Sequence, residues 1–232
     1  MPQLVLSPEN PNRPSEIDAH FAEDGGWEKN KGRIIGRRMT KCFVKHVQIP
    51  LNGQFSLLDV GCALGDSMPV LHSAYPQAKL VGCDVSANAV RRCTAEYGHY
   101  ATFFESSIHE LSRQFDVIFC SNLIEHIEKY VEMVAHLTSL AKIVYVMVPY
   151  MELHKGERLS PKLGMWHVAT FEGNTFDLLK KNGLEIRTWI FRCPGAWGRA
   201  LWRIPIAKAR AYVLNLDYED RKQIVFELRR KS

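Results

Sequence analysis

Four stretches of the chain set chemistry-bearing side chains at the ends of apolar runs. In "LLDVGCALGDSMPV", residues 57 to 70, Asp59 precedes a turn holding Gly61 and Gly65, and Asp66 follows it. Glycines there permit close backbone approach, and the helix that follows begins with unsatisfied N–H groups. The flanking carboxylates would repel a pyrophosphate and suit a cationic ligand. Asp84, in "LVGCDVS", stands 23 residues beyond Gly61, where an acid at a strand end can accept hydrogen bonds from both hydroxyls of a ribose. Glu125-His126 closes "CSNLIEH" and His167 lies in "MWHVATF". An imidazole titrates near neutrality and can take a proton from a hydroxyl or an amine, which makes His167 the first choice for a general base. His126 reads first as a packing or hydrogen-bonding group, and Tyr150 and His154 in "VPYMELHKGE" are weaker candidates.

The glycine turn departs from two better-known ligand loops. A dinucleotide fingerprint needs Gly at 61, 63 and 66, and this chain has Gly61, Ala63 and Asp66, with Gly65 one place early. A phosphate loop is excluded because no Gly-Lys-Ser/Thr opens the helix. The six cysteines lie far apart without a CxxC pair, which gives no support for structural zinc and favours a reducing compartment, most simply the cytoplasm. No motif asks for a metal, so none is expected.

These groups need a frame. Short apolar runs near 56–60, 79–83, 101–104, 115–120, 142–148 and 184–191 alternate with helical patterns near 67–75, 86–97, 125–139 and 173–182. That alternation predicts an α/β fold with a parallel sheet covered on both faces. Ser67 with Pro69, and Ser86, read as helix starts, and Asn182-Gly183 as a stop. Residues 28–47 read as an amphipathic helix after a loose arm, so 1–50 is expected to pack on a core domain at 51–232. "RKQIVFELRRK", residues 221 to 231, alternates like a last strand, placed at or beside an edge by its charges. No apolar run reaches the roughly 18 to 20 residues of a membrane span, and the polar start predicts no cleaved signal.

Taken in order, "LLDVGCALG", "LVGCDVS", "FFESSIHEL", "FDVIFCSNLIEHI", "VYVMVP" and "HVATFEGNTFDLLKKNGLEI" resemble the class I S-adenosylmethionine-dependent methyltransferases over roughly residues 55 to 190. The likeness is to the small-molecule group with an Asp-x-Gly-x-Gly-x-Gly first motif and Glu-His after strand four. It implies a Rossmann-like, doubly wound, mostly parallel seven-stranded sheet with an antiparallel last strand, and S-adenosyl-L-methionine as cofactor. Carried over by position, Gly61, Cys62, Ala63 and Gly65 would lie under the methionine and ribose, with Asp59 beside them as either a cofactor contact or a cap for the loop. Asp84 would clamp the ribose. Val85 would face the adenine, Ser107 and Ile108 would meet its edge, and Ser121 and Asn122 would present backbone near the methionine amino group. The family's middle glycine is Ala63 here, and its usual third-motif acid is Ser107. An alanine in a tight loop costs about 1 kcal/mol if its φ is positive and almost nothing otherwise.

The same resemblance implies methyl transfer to an oxygen, with nitrogen second, of a small molecule or glycan. "SNLIEH" replaces the Asn/Asp-Pro-Pro-Tyr/Phe element of enzymes that methylate planar amino nitrogens, which argues against a nucleic-acid base. Methyl transfer from a sulfonium asks mainly for in-line placement in a dry site, so an obvious base is not required. The net charge of +5 is concentrated near the end of the chain. Residues 195–216 interleave Trp197, Leu201, Trp202 and Tyr212 with Arg199, Arg203, Lys208 and Arg210. Such a helical insertion before the last strand suits an anionic membrane surface and a lipid-linked acceptor, or equally a lid or homodimer contact. A catalytically silent scaffold and an RNA methyltransferase drawn by the basic tail are the alternatives.

Overall fold

Strand β1 (Phe55–Val60) shows how this chain builds its core. Phe55 and Leu57 turn to one apolar cluster, while Leu58 and Val60 turn to the other, as the two-residue period of a strand requires. The computed structural model describes residues 14–23, 25–30, 32–151, 153–154, 157–158, 167–193 and 222–231. Beside β1 run β2 (Ala78–Asp84), β3 (Ala101–Glu105), β4 (Phe115–Ser121), β5 (Ala141–Pro149), β8 (Leu184–Arg192) and β9 (Lys222–Arg230), in the order β3-β2-β1-β4-β5-β9-β8. The first five strands are parallel, and β9 is antiparallel to both neighbours. Two-residue strands β6 (Leu153–His154) and β7 (Glu157–Arg158) pair with each other outside this sheet.

Helices cover both faces. Helices α3 (Gly32–His46), α4 (Met68–Ala74) and α5 (Ala87–Tyr97) bury Met39, Phe43, Met68, Leu71, Cys93 and Tyr97 on one side. On the other, α6 (Tyr130–Leu140) presents Tyr130, Met133, Val134 and Leu137, spaced i, i+3, i+4, i+7. Ahead of these lie α1 (Pro14–His20) and the four-residue α2 (Gly26–Lys29).

The expected sheet is present, and the departures from expectation are local. The helix read from 125 is a 3₁₀ turn (Ile124–His126) followed by α6. The Glu125 carbonyl accepts the amides of Val168 (2.7 Å) and Ala169 (3.3 Å), which takes it out of a helical ladder. The helix read at 173–182 is a 3₁₀ turn (Asp177–Asn182), stopped at Gly183 (φ 78°) as its sequence indicates. Ser86 caps α5 by accepting from the Ala89 amide, whereas the Ser67 hydroxyl is given to Asp59 and does not cap α4. Strand β9 lies beside the edge strand β8, inside the sheet. Its buried Glu227 accepts from the Tyr145 hydroxyl (2.8 Å) and pairs with Arg229 (2.7 Å). The insertion at 195–216 and the arm before residue 14 lie outside the described residues, and among those described no helix is long and apolar enough to cross a membrane.

Candidate active site

Strand order reverses between β1 and β4, and ligands of open parallel sheets sit outside the carboxyl ends of the strands at such a reversal. The turn leaving β1 is tied to the end of β2. The Gly61 and Cys62 amides both donate to the Cys83 carbonyl (2.9 and 3.0 Å), and the Ala63 amide donates to Asp84 Oδ2 (2.9 Å). Asp84 Oδ1 accepts from the Ser86 amide (3.0 Å). A carboxylate with one amide on each oxygen keeps lone pairs for further donors, as two ribose hydroxyls would be. Burial raises the Asp84 pKa, and the amides of Ser86 and Ala63 oppose that rise.

The turn needs its glycines for its own shape. Gly61 (φ 71°) and Gly65 (φ 68°) are left-handed. An added Cβ would stand 2.7 Å from Leu123 Cδ2 at the first and 2.8 Å from Tyr97 Cδ2 at the second. Ala63 is left-handed too (φ 50°), the condition under which its methyl is costly. The Cys93 thiol donates to the Ala63 carbonyl (3.1 Å). The buried Cys62 thiol is pushed well above its ordinary range by hydrogen bonding with Cys93 and by burial, so it is a packing group and not a nucleophile.

Asp59 is buried under the turn and holds the Ser67 hydroxyl. Burial pushes its pKa up to about 7; the Ser67 hydrogen bond opposes the rise and the Asp84 and Asp66 carboxylates add to it. Asp66 receives the Trp27 indole N–H (3.1 Å) and Arg33 Nε (3.0 Å), so the N-terminal helices grip the turn from outside. Asp18, on α1, accepts from the Ser86 hydroxyl (2.6 Å) and the Asn88 amide (2.9 Å) at the start of α5. Sequence reading passed over Asp18 and Arg33 because both act across more than 30 positions, and no local spacing announces such contacts.

Along the β2 and β3 ends, Val85 is half-buried and Ile108 buried. Ser107 gives both its amide (3.1 Å) and its hydroxyl (2.8 Å) to Glu110 Oε2 in a capping box. Its hydroxyl therefore has a structural use that the sequence reading did not include. At the β4 end, Asn122 is left-handed (φ 51°), its amide donates to the Met147 carbonyl (2.8 Å), and the Ser121 hydroxyl meets Asn122 Oδ1 (3.3 Å).

Four residues on, the fold unites the two candidate histidines. The rings of His126 and His167 stand edge to face with centroids 4.7 Å apart, and His167 Nε2 is 4.0 Å from Oε1 of the fully buried Glu125. Tyr150, directly after β5, forms a backbone β-bridge with Phe171 and is partly buried against the apolar core. His154 lies on β6.

Comparison with known proteins follows the same outline. Residues 58–143 match the family model described as "Methyltransferase domain". Trans-aconitate 2-methyltransferase of Deinococcus radiodurans is 26% identical over 114 residues, which is 48% of this chain and 44% of that protein. The match thus spans less than half the length of that curated relative. Magnesium protoporphyrin IX methyltransferase from Synechocystis PCC 6803, solved with bound SAH, superposes with a TM-score of 0.64 at 18% identity, over 94% of this chain and all of that one. The cyclase SpnF superposes with a TM-score of 0.58 at 17% identity, over 84% of this chain and 81% of that one. The fold therefore does not by itself name a reaction.

Proposed function

Because the chain belongs to the class I S-adenosylmethionine-dependent methyltransferases, we propose that it transfers the cofactor's methyl group to an oxygen, with nitrogen second, of a small molecule or glycan. The observation that carries this reading is the convergence of the Gly61–Gly65 turn on Asp84 beside the reversal in strand order. The residues present fit the cofactor's chemistry: a carboxylate acceptor for hydroxyls at Asp84, close backbone approach at the left-handed Gly61 and Gly65, and half-buried apolar surface at Val85.

When bound, S-adenosylmethionine supplies a methyl on a sulfonium that is already a good leaving group. The chain's own task is then placement. Asp84 orients the ribose, with Ala63 and Ser86 holding its carboxylate in position. The turn with left-handed Gly61, Ala63 and Gly65, together with Ser121 and the left-handed Asn122, would hold the methionine portion. Val85, Ser107 and Ile108 border the adenine. His126 and His167, beyond Leu123, face the acceptor, and Tyr150 supports that wall through the core. Orientation of this kind supplies most of what an in-line transfer needs.

A second reading is a catalytically silent scaffold that binds cofactor or a partner, favoured by the left-handed Ala63 in the turn and by the commitment of the Ser107 hydroxyl to Glu110. Calorimetry with the cofactor and its demethylated product, joined to a tritiated methyl-transfer screen of extract fractions, small molecules against lipid-linked glycans, decides between them. Binding of both nucleosides with labelled product is expected. No binding of either nucleoside at high micromolar concentration, or binding without label in any fraction, favours the scaffold and contradicts the methyl-transfer reading.

A further inference from the structure

Glu125, His126 and His167 each offer a ligand atom, and the three atoms lie within 4.8 Å of one another. A cation bonded at about 2.0–2.2 Å to two imidazole nitrogens and a carboxylate oxygen asks for donor separations of about 3–3.5 Å, so modest side-chain rotations close the set. Two backbone features hold it in this near-closed form. The 3₁₀ turn Ile124–His126 puts adjacent residues 125 and 126 into one cluster, and the Glu125 carbonyl ties down the amides of Val168 and Ala169, directly after His167. The Glu125 side chain is fully buried and both rings are mostly buried. The cluster is also next to the cofactor turn, since Leu123, two residues before Glu125, covers Gly61.

We propose that Glu125, His126 and His167 bind one divalent first-row cation whose open coordination positions face the methyl acceptor. Two imidazoles and one carboxylate suit zinc, manganese, cobalt or iron(II) over calcium or magnesium. Three protein ligands leave at least one position for an acceptor hydroxyl. The inference rests on the methyl-transfer reading and narrows it, because a cation there lowers the pKa of a coordinated hydroxyl and so selects oxygen. In balance, the hydroxyl proton passes to water, an oxygen electron pair forms the new C–O bond, and the pair of the broken C–S bond returns to sulfur. The histidines then serve as ligands, and the direct base role expected for His167 falls away.

The test is metal binding by the purified full chain, stripped with chelator and titrated with Co²⁺ and Zn²⁺, read by visible absorption and by elemental analysis after desalting. One equivalent per chain is expected, with a Co²⁺ spectrum carrying nitrogen ligation. His126→Ala and His167→Ala should each abolish retention, and Glu125→Gln should weaken it at least about tenfold, while binding of S-adenosylhomocysteine persists in all three. Native chain that retains no cation, or variants that retain it fully, overturn the proposal. Should a variant fail to fold, the native titration and spectrum alone decide. Metal binding without nucleoside binding would sink the methyl-transfer reading and leave the cation site standing; nucleoside binding without metal does the reverse.

Discussion

The Ala63 amide lies 2.9 Å from Oδ2 of Asp84, joining the turn after β1 to the end of β2. With Gly61 and Cys62 also donating to Cys83, the turn and the end of β2 are held together by hydrogen bonds from three successive amides.

Ala63 pays for its place in that turn with a φ of 50°. Replacing it by glycine removes the Cβ conflict of the left-handed region, at a smaller cost in unfolded-chain entropy. Ala63→Gly is expected to stabilise the protein by about 0.5–1 kcal/mol, raising Tm by about 1–4 °C for a chain of this size, with cofactor affinity unchanged or tighter. Thermal denaturation checks it; a fall in Tm would show that the alanine methyl packs productively.

Asp59 makes a pH prediction. Its folded-state pKa stands at about 7 against 3.8 for the free side chain. Between those values the native state holds a proton that the unfolded chain has released, so this group's contribution to stability declines as pH rises from about 4 to 7 and then levels off. Asp59→Asn removes the decline while keeping an acceptor for Ser67. The difference in unfolding free energy, variant minus native, should therefore grow between pH 5 and pH 8, reaching a few kcal/mol in order of magnitude at the upper end. A difference independent of pH would mean that Asp59 ionises normally.

Asp18 gives the opposite sign. The Ser86 hydroxyl first, and then the Asn88 amide, hold its pKa below the ordinary range. Its contribution is present above the unfolded-state pKa and is lost as pH falls through the lower, folded-state value. Asp18→Ala should cost about 1 kcal/mol at pH 7, kept small because the carboxylate is open to solvent, and should loosen α1 from α5. Hydrogen exchange at Asn88 and along α1 would show faster opening; unchanged protection would separate α1 from the site.

The core of this arrangement was legible from the sequence because strand ends and turns carry local signals. "LLDVGCALG" and "LVGCDVS" place Asp84 against the turn, short apolar runs located the parallel strands, and alternation located the last one. What escaped was long-range. The 3₁₀ turn at Ile124–His126 replaces a predicted helix because a distant segment, Val168–Ala169, claims the Glu125 carbonyl. The buried Glu227 of the last strand, which lies beside the edge as its charges indicate, is satisfied by Tyr145 from β5 and by Arg229. None of these pairings leaves a trace in neighbouring residues.

The central claim is that the Asp84 carboxylate, presented by the turn, grips the nucleoside end of the cofactor. Calorimetric titration of S-adenosylmethionine and S-adenosylhomocysteine into native chain and Asp84→Asn tests it most directly. Removing a charge-assisted pair of hydrogen bonds costs about 1.5–3 kcal/mol, so both ligands should bind the variant about ten to a hundred times more weakly, because both carry the same ribose. Equal affinity in native and variant proteins, or no binding to the native chain, would contradict the account.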